Sequence, residues 1–154
     1  MDALYLPEVE EVLLASVTPC SACRMECLYD TPSLTISYDR VKKWLYVEWK
    51  GKHDAASAQT GGERVLRYLA TRTCSKMLND NSQVTSDWEQ GARWVGGHYY
   101  SLLADQGVRY VAWVSPPNWS ARKSMETAMQ FVTKPIVVLF DDLASAYAWL
   151  DRQA

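Results

Sequence analysis

Residues 76–88, KMLNDNSQVTSDW, contain the change of pattern that decides the fold. Their first three residues end a short apolar run, CSKML (74–78), which has the length and composition of a buried strand. Four small polar residues, NDNS, follow at once. Ser86 and Glu89 then have the S-x-x-E spacing of a capping box, which predicts that a helix begins there. The stretch therefore predicts a strand, a polar loop and a helix in succession.

The chain before this stretch predicts an antiparallel hairpin and a helix. LTISY (34–38) and WLYVEW (44–49) have apolar residues at every second position, as in two paired strands. Asp54 can cap the helix that follows. That helix contains Gly61 and Gly62, which are costly inside a helix. The glycines therefore indicate either that the helix begins after them or that it approaches the sheet closely.

The chain after this stretch continues the alternation of strands and helices. VRYVAWV (108–114) and IVVLF (136–140) predict two strands, and IVVLF is apolar throughout, as a strand buried on both faces would be. A helix is expected between them, and DDLASAYAWL (141–150) predicts another. Such alternation implies a largely parallel sheet covered by helices. The predicted fold class is α/β, with a mixed sheet of about five strands, an N-terminal antiparallel hairpin and about four helices.

The N-terminal part reads differently from the rest of the chain. It combines a short acidic amphipathic piece with a stretch of small residues, and no partner element is evident. We therefore expect residues 1–27 to be an extension outside the fold, and residues 28–154 to form a single α/β domain. A chain of 154 residues is long enough to bury one core of ordinary size.

Composition argues against several classes of function. The net charge is -2, and the 16 basic and 18 acidic residues are interspersed. We therefore expect no positive electrostatic field that would attract nucleic acid or an anionic membrane. No apolar run approaches the roughly 20 residues that a membrane-spanning helix needs. The N-terminus is acidic and lacks the cationic start of a signal peptide, so the expected location is the cytoplasm.

Motifs for metal binding and catalysis are weak. Cys20, Cys23 and Cys27 lie close together, but a closed zinc site usually needs a second clustered pair of ligands. We expect ordinary reduced thiols, no metal and no cofactor. Neither His53 nor His98 can be paired with a nucleophile by motif, so we expect a protein that is not an enzyme.

The polar residues that follow the predicted strands indicate a binding site. In open α/β sheets, ligands bind beyond the carboxyl ends of the parallel strands. The polar segments 52–53, 79–82, 115–118 and 141–142 all follow strands, so we expect them at one edge. The candidate residues for binding a partner or ligand are Asn79, Asp80, Asn81, Ser82, Trp88, Ser115, Asn118, Trp119 and Arg122.

Two side-chain types refine this expectation. Arg122 and Lys123 lie in the first turns of their helix, where positive charge opposes the helix dipole, so a carboxylate, solvent or a bound anion should compensate. Seven tryptophans are many for this length. Two of them, Trp88 and Trp113, fall on buried patterns and predict core positions. Three other tryptophans do not fit the inward-facing stripes, so we expect them in peripheral packing, in a pocket wall or in a partner surface. They are Trp44, Trp94 and Trp119.

Four stretches carry a resemblance to a known group. LTISYDRVKKWLYVEWKG, KMLNDNSQV, YVAWVSPPN and FDDLASAYAWL together resemble small bacterial proteins of the STAS-like fold, that of the anti-sigma factor antagonists, a group sometimes linked to CRAL-TRIO lipid-transfer domains. The resemblance covers roughly residues 28–152. It implies a regulatory module without enzymatic activity that binds another protein. The alternative is a binder of a small apolar or lipid-like molecule, with the aromatic residues as walls.

In the antagonists, a serine at the start of the helix after the third strand is phosphorylated by a kinase-type anti-sigma factor. The resemblance places Ser82, Thr85 and Ser86 in the corresponding region. A phosphate there would add about two negative charges and change a docking surface. The aspartate-serine-serine-glycine signature of the antagonists is replaced here by NDNSQVTSDW, so the resemblance does not select one of the three residues.

Overall fold

The computed structural model describes residues 24–154, which form one mixed sheet of six strands with helices on both faces. The strands lie side by side in chain order. The first three strands pair with one another in antiparallel fashion, and the pairs from the third strand onward are parallel. The strands are β1 (Met25–Asp30), β2 (Leu34–Asp39), β3 (Trp44–Gly51), β4 (Lys76–Val84), β5 (Tyr110–Val114) and β6 (Ile136–Phe140).

Four helical segments alternate with the parallel strands. The second of them is continuous but contains one π-helical turn. The elements are α1 (Ala55–Leu69), α2 (Glu89–Trp94), the π-helical turn (Val95–Tyr99), α3 (Tyr100–Asp105), α4 (Trp119–Met129) and α5 (Leu143–Arg152). The predicted fold class, α/β with an N-terminal antiparallel hairpin and a parallel remainder, is confirmed.

One of the six strands, β1, was not predicted. It pairs with β2, from Met25 opposite Asp39 to Asp30 opposite Thr35. It is an edge strand whose residues are exposed or only half-buried, and its register is interrupted between Cys27 and Tyr29. It therefore lacks the clean alternation that marks a strand in sequence. The first three residues of β1 had been assigned to the extension, so the fold begins before residue 28. The rest of that extension, residues 1–23, lies outside the described residues.

The core has two parts because successive side chains of a strand point to opposite faces of the sheet. α1 to α4 cover one face, where the core includes Leu45, Val65, Met77 and Met125. α5 covers the other face, where Trp44, Leu78, Ala112 and Leu150 pack together. Two helix-covered faces are the arrangement that a parallel sheet requires.

α1 begins where the sequence places its cap. Asp54 accepts a hydrogen bond from Ser57 N at 2.8 Å, and Ser57 Oγ accepts one from Asp54 N at 2.9 Å, which completes a capping box. A Cβ added to Gly61 would lie 2.5 Å from the Trp49 ring. Gly61 therefore marks close packing of α1 on the sheet, and Gly62 marks close packing on Trp94 and Tyr99 of the neighbouring helical segment. Neither glycine delays the start of the helix.

The predicted capping box at Ser86 and Glu89 is wrong. The Ser86 hydroxyl accepts from His53 N at 2.8 Å and donates to His53 O at 2.9 Å. It therefore joins the two connections that follow β3 and β4. α2 begins at Glu89, and the preceding residue, Trp88, makes no side-chain cap but donates its amide to Ser124 Oγ at 3.0 Å.

β6 also differs from its prediction. Among residues 24–154, IVVLF is the last strand in the sheet order and pairs with β5 alone. Ile136 is 56% exposed, and the other four residues are half-buried. The run is apolar because both faces meet helices in part, but the strand lies at an edge of the sheet.

Gly96 and Gly97 provide a test of the packing between the π-helical turn and α4. A Cβ at Gly96 would lie 1.9 Å from the Ala128 carbonyl oxygen, whereas a Cβ at Gly97 would come no closer than 3.6 Å to any atom. We expect Gly96→Ala to lower the free energy of unfolding by at least about 2 kcal/mol through overpacking. Gly97→Ala should change it by less than about 1 kcal/mol. Urea denaturation measures both, and equal effects would contradict the packing described.

Candidate functional site

The register of the parallel strands brings their carboxyl ends to one edge of the sheet. Asp80 lies opposite Glu48 of β3 and Val114 of β5, and Val114 lies opposite Phe140 of β6. The segments that follow these strands are therefore neighbours, as the sequence predicted. We call this the carboxyl edge and define it as residues 51–54, 81–88, 115–122 and 141–142.

The segment NDNS is not a loop. All four residues belong to β4, and Asn79, Asp80 and Asn81 are buried. Between the pairs Glu48–Asp80 and Lys50–Gln83, β3 has one residue and β4 has two, which is a β-bulge at Asn81 and Ser82. Asp80 Oδ1 accepts from Ser82 N at 2.8 Å within this bulge.

Asn79 connects the sheet to the helix layer. Its Oδ1 accepts from Trp49 Nε1 at 2.8 Å, and its Nδ2 donates to the Tyr100 hydroxyl at 2.9 Å. Asn79 is only 2% exposed, and both partners are buried. Loss of this amide would leave two buried polar groups unpaired, at a cost of about 1–3 kcal/mol for each. Asn79 thus has a structural role.

Asp80 points to the opposite face of the sheet, toward β3. The Tyr46 hydroxyl donates to Asp80 Oδ2 at 3.2 Å. Burial, followed by the nearby charge of Asp80, raises the pKa of the Glu48 carboxyl, although Lys50 acts in the opposite direction. Burial also raises the pKa of the Tyr46 hydroxyl. The charged form of Glu48 is therefore unfavourable in the folded protein.

A cavity of about 30 Å³ lies between the bulge and the helices, with Trp88 in its wall. Asn81 Oδ1, the Tyr99 hydroxyl and Trp113 Nε1 belong to residues that line it. None of these three buried atoms has a hydrogen-bond partner among residues 24–154. Burial raises the pKa of the Tyr99 hydroxyl.

The outer surface of the carboxyl edge has Trp119 as its main apolar feature. The side chain is 73% exposed, and the Lys123 ammonium lies 5.5 Å from its ring centroid. Arg122 contacts Asp141 Oδ1 at 2.6 Å and Glu126 Oε1 at 3.8 Å. Carboxylates therefore supply the compensation expected for Arg122, and no anion is needed for it.

The predicted binding residues divide into three groups by exposure. Asn118 is exposed and also caps α4 through Ala121 N at 3.0 Å, and Trp119 is exposed, whereas Ser82 and Arg122 are half-buried. The remaining five are buried, namely Asn79, Asp80, Asn81, Trp88 and Ser115. A surface concavity beside Trp119 is also lined by Asp87, Glu89 and Lys123. The sequence predicted Glu89 only as a capping residue and Lys123 only beside a possible anion, and it did not single out Asp87. The closeness of these three residues to Trp88 or Trp119 in the sequence was the available signal.

The three predicted phosphorylation positions differ in access. Thr85 is exposed, whereas Ser82 and Ser86 are half-buried. The Ser86 hydroxyl makes both bonds to the His53 backbone, so a phosphate on it would break them. Phosphorylation at any of these positions stays a prediction.

The tryptophan predictions hold for two core positions. Trp88 and Trp113 are 5% and 1% exposed and belong to the core beneath the helices. Trp44 is also buried, beside α5, because it points to the opposite face of the sheet. Trp94 is half-buried and stacks on Tyr99 with the ring centroids 5.7 Å apart.

Within residues 24–154, no group of three or more histidine, cysteine or acidic side chains could hold a metal ion. Cys27 is exposed, whereas burial raises the pKa of the Cys74 thiol to about 11. Cys20 and Cys23 lie outside the described residues.

No helix in the described part of the chain is long and apolar enough to cross a membrane.

Comparison with known proteins identifies the family. The SpoIIAA-like family matches residues 44–151, which is more than half of the chain, and the chain belongs to this family. The match runs from the start of β3 into α5 and confirms the resemblance to the STAS-like fold. Membership indicates a STAS-type module for regulation and protein interaction, and such domains are generally not enzymes. The comparison with curated proteins gave no match.

The raised pKa of Glu48 predicts a pH-dependent stability. A carboxyl group whose pKa is raised by folding stabilises at low pH, and that contribution is lost as the pH rises through the folded-state pKa. Glu48→Gln should therefore raise the melting temperature near pH 7. Near pH 4 the difference should shrink, because the glutamate is then largely neutral as well.

Glu26 provides a control, because folding shifts its pKa in the opposite direction. Its hydrogen bond from Arg72 lowers its pKa, so its contribution is present at neutral pH and is lost as the pH falls through the folded-state pKa. Glu26→Gln should lower the melting temperature near pH 7. Thermal unfolding followed by circular dichroism at the two pH values measures both variants. A lower melting temperature for Glu48→Gln near pH 7 would contradict this description of Glu48.

Proposed function

We propose that this chain is a non-enzymatic regulatory module that binds another protein through its carboxyl edge, with Trp119 at the centre of the contact. The exposure of Trp119 carries the proposal, because its 73% exceeds that of every other large apolar side chain in residues 24–154. Tryptophan is among the residues that contribute most to binding energy at protein interfaces. An exposed tryptophan at the ligand-binding edge of an α/β sheet is therefore well placed to recognise a partner. The cytoplasmic location stays a prediction from the sequence.

The surroundings of Trp119 support a protein partner. Trp119 lies in a concavity of about 240 Å³ whose other walls are Asp87, Glu89, Ser120 and Lys123. An aromatic centre with a polar, charged rim is the usual anatomy of an interface between proteins that associate reversibly. The charges of both signs would orient a partner with complementary charges.

Two contacts keep this surface ordered before binding. Glu89 Oε1 accepts from Thr127 Oγ1 at 2.6 Å, which links the start of α2 to α4. The Lys123 ammonium lies over the Trp119 ring. Side chains that are already ordered lose less conformational entropy when a partner binds, so the interface needs less contact energy.

The buried members of the predicted site contribute indirectly. Asn79 and Asp80 lie below the surface, where Asn79 bonds to Trp49 and Tyr100 and Asp80 accepts from Ser82 N within the bulge. Direct contact belongs to the exposed residues of α4 and of the segment before α2. His53 joins the start of α1 to the turn before β2, because its Nδ1 pairs with Ser57 Oγ at 3.0 Å and its Nε2 with Ser33 O at 3.1 Å.

A lipid-like ligand finds less support at the predicted site. Trp49, Trp88 and Trp113 line the cavity beneath the carboxyl edge, but its volume is about 30 Å³. Pockets for drug-sized ligands usually measure about 300–1,000 Å³. A groove of about 340 Å³ beside α5 is larger and is bordered by Trp44, Tyr46 and Tyr147, but none of the predicted binding residues lines it. The geometry of the carboxyl edge therefore favours a protein partner.

Trp119→Ala tests the proposal. Quantitative affinity capture from native lysate should recover a partner with the wild-type chain, and the variant should reduce its recovery at least about tenfold, as loss of a central aromatic contact does. The melting temperature should change little because the side chain is mainly in solvent.

Val41→Ala is the matched control. Val41 is 69% exposed and lies in the β2–β3 turn, beside the start of β3 at the opposite edge of the sheet. This variant should recover the same partner as the wild-type chain. Equal recovery by Trp119→Ala, or equal losses in the two variants, would contradict the proposed surface.

A further inference from the structure

The cavity beneath the carboxyl edge contains an unusual set of unpaired polar atoms. Asn81, Tyr99 and Trp113 are 4%, 2% and 1% exposed, and each presents one buried polar atom without a partner in the described part of the chain. Buried polar side-chain atoms in native proteins nearly always have a hydrogen-bond partner. Three unpaired atoms on residues around one cavity therefore need an explanation.

Two of these three residues lie in irregular parts of the backbone. Asn81 lies in the β-bulge of β4, and Tyr99 is the last residue of the π-helical turn. Bulges and π-helical turns occur often at functional sites, where they redirect a side chain. A Cβ on Gly62 would lie 3.0 Å from Tyr99 Cδ1, so α1 packs closely against this ring.

Neighbouring groups show that the fold can pair polar atoms in this region. Trp49 Nε1 and the Tyr100 hydroxyl both bond to Asn79, at 2.8 and 2.9 Å. Tyr99 and Tyr100 are adjacent in the chain and both are buried, yet Tyr99 alone of the two lacks a partner. The unpaired atoms are thus not a general result of poor packing.

We propose that this cavity binds a carboxamide group. Trp113 Nε1 can only donate, Asn81 Oδ1 can only accept, and the Tyr99 hydroxyl can do both. A carboxamide oxygen would accept from Trp113 and Tyr99, and its nitrogen would donate to Asn81. This assignment uses neither Trp119 nor the outer surface, so it can fail while the proposed protein interaction holds.

The walls of the cavity fit such a group. Among the described residues, no aspartate, glutamate, lysine or arginine lines it, so an uncharged ligand is favoured, and Trp49, Trp88 and Trp113 contribute apolar wall. The volume of about 30 Å³ admits only a few atoms. The carboxamide therefore belongs either to a small free molecule or to the tip of a longer one, such as a glutamine side chain of a polypeptide.

Nuclear magnetic resonance of the ¹⁵N-labelled chain tests the site with acetamide as the probe. The Trp113 indole N–H signal, assigned by its absence in Trp113→Phe, should shift and saturate as acetamide is added. Acetate has a similar shape but is charged and cannot donate, so it should give no saturable shift. Tyr99→Phe should weaken acetamide binding about fivefold, as expected for the loss of one hydrogen bond.

Tyr100→Phe is the matched control. It should bind acetamide within about twofold of the wild-type affinity, but it should melt at a lower temperature because Asn79 loses a hydrogen-bond partner. Tyr99→Phe should melt no lower than the wild-type chain, since its hydroxyl has no partner to lose among residues 24–154. A loss of binding in Tyr99→Phe then cannot be caused by unfolding.

A second probe distinguishes the two sources of the group. Tighter binding of N-acetylglutamine methylamide than of acetamide supports a polypeptide side chain, and tighter binding of acetamide supports a free small molecule. A cavity that holds only water gives no saturable shift of the Trp113 signal with either probe. That result, or unchanged acetamide binding in Tyr99→Phe, would overturn the proposal.

Discussion

Two hydrogen bonds through the Asn79 side chain hold the sheet and the helix layer in one arrangement. Trp49 donates to the amide from β3, and the amide donates to Tyr100 in α3. Apolar packing alone tolerates small shifts between layers, whereas these bonds are satisfied in one geometry and leave buried polar groups unpaired in others. Asn79 lies two residues before the bulge, so the same bonds anchor β4 close to the point where it departs from regular pairing with β3.

This arrangement separates the polar residues of the carboxyl edge into two layers. The inner layer is buried and contains the bulge, the cavity and the three unpaired polar atoms. The outer layer contains Trp119 and the charged residues around it. Only the outer layer is available to a large partner, whereas the inner layer can accept only a small group. The two proposals therefore concern different depths of one edge, which is also the edge where α/β sheets usually bind ligands.

The sequence predicted the parts of the fold that depend on local patterns. The alternation of strands and helices, the Asp54 cap and the buried positions of Trp88 and Trp113 all follow from spacing and residue type, and all are confirmed. The convergence of polar segments at the carboxyl edge followed from the predicted parallel order, and the register shows it.

The errors arose where a distant residue decides the local structure. NDNS has the composition of a loop, yet it continues β4 because Trp49 and Tyr100 pair with Asn79 across the core. Ser86 has the spacing of a cap, but its partner is the backbone of His53, 33 positions earlier. β1 escaped prediction because an edge strand buries too little to require alternation. Asp87 and Glu89 were missed because only the folded chain places them beside Trp119, whereas the four-residue spacing of Lys123 from Trp119 on α4 was a signal in the sequence.

Hydrogen exchange of the free chain and of its complex with the captured partner tests the central claim, that recognition occurs at the outer layer of the carboxyl edge. The account predicts slower amide exchange on binding in residues 85–89 and 116–123, with β1 and β2 unchanged. Protection confined to β1, β2 or α5, with no change at the carboxyl edge, would contradict it.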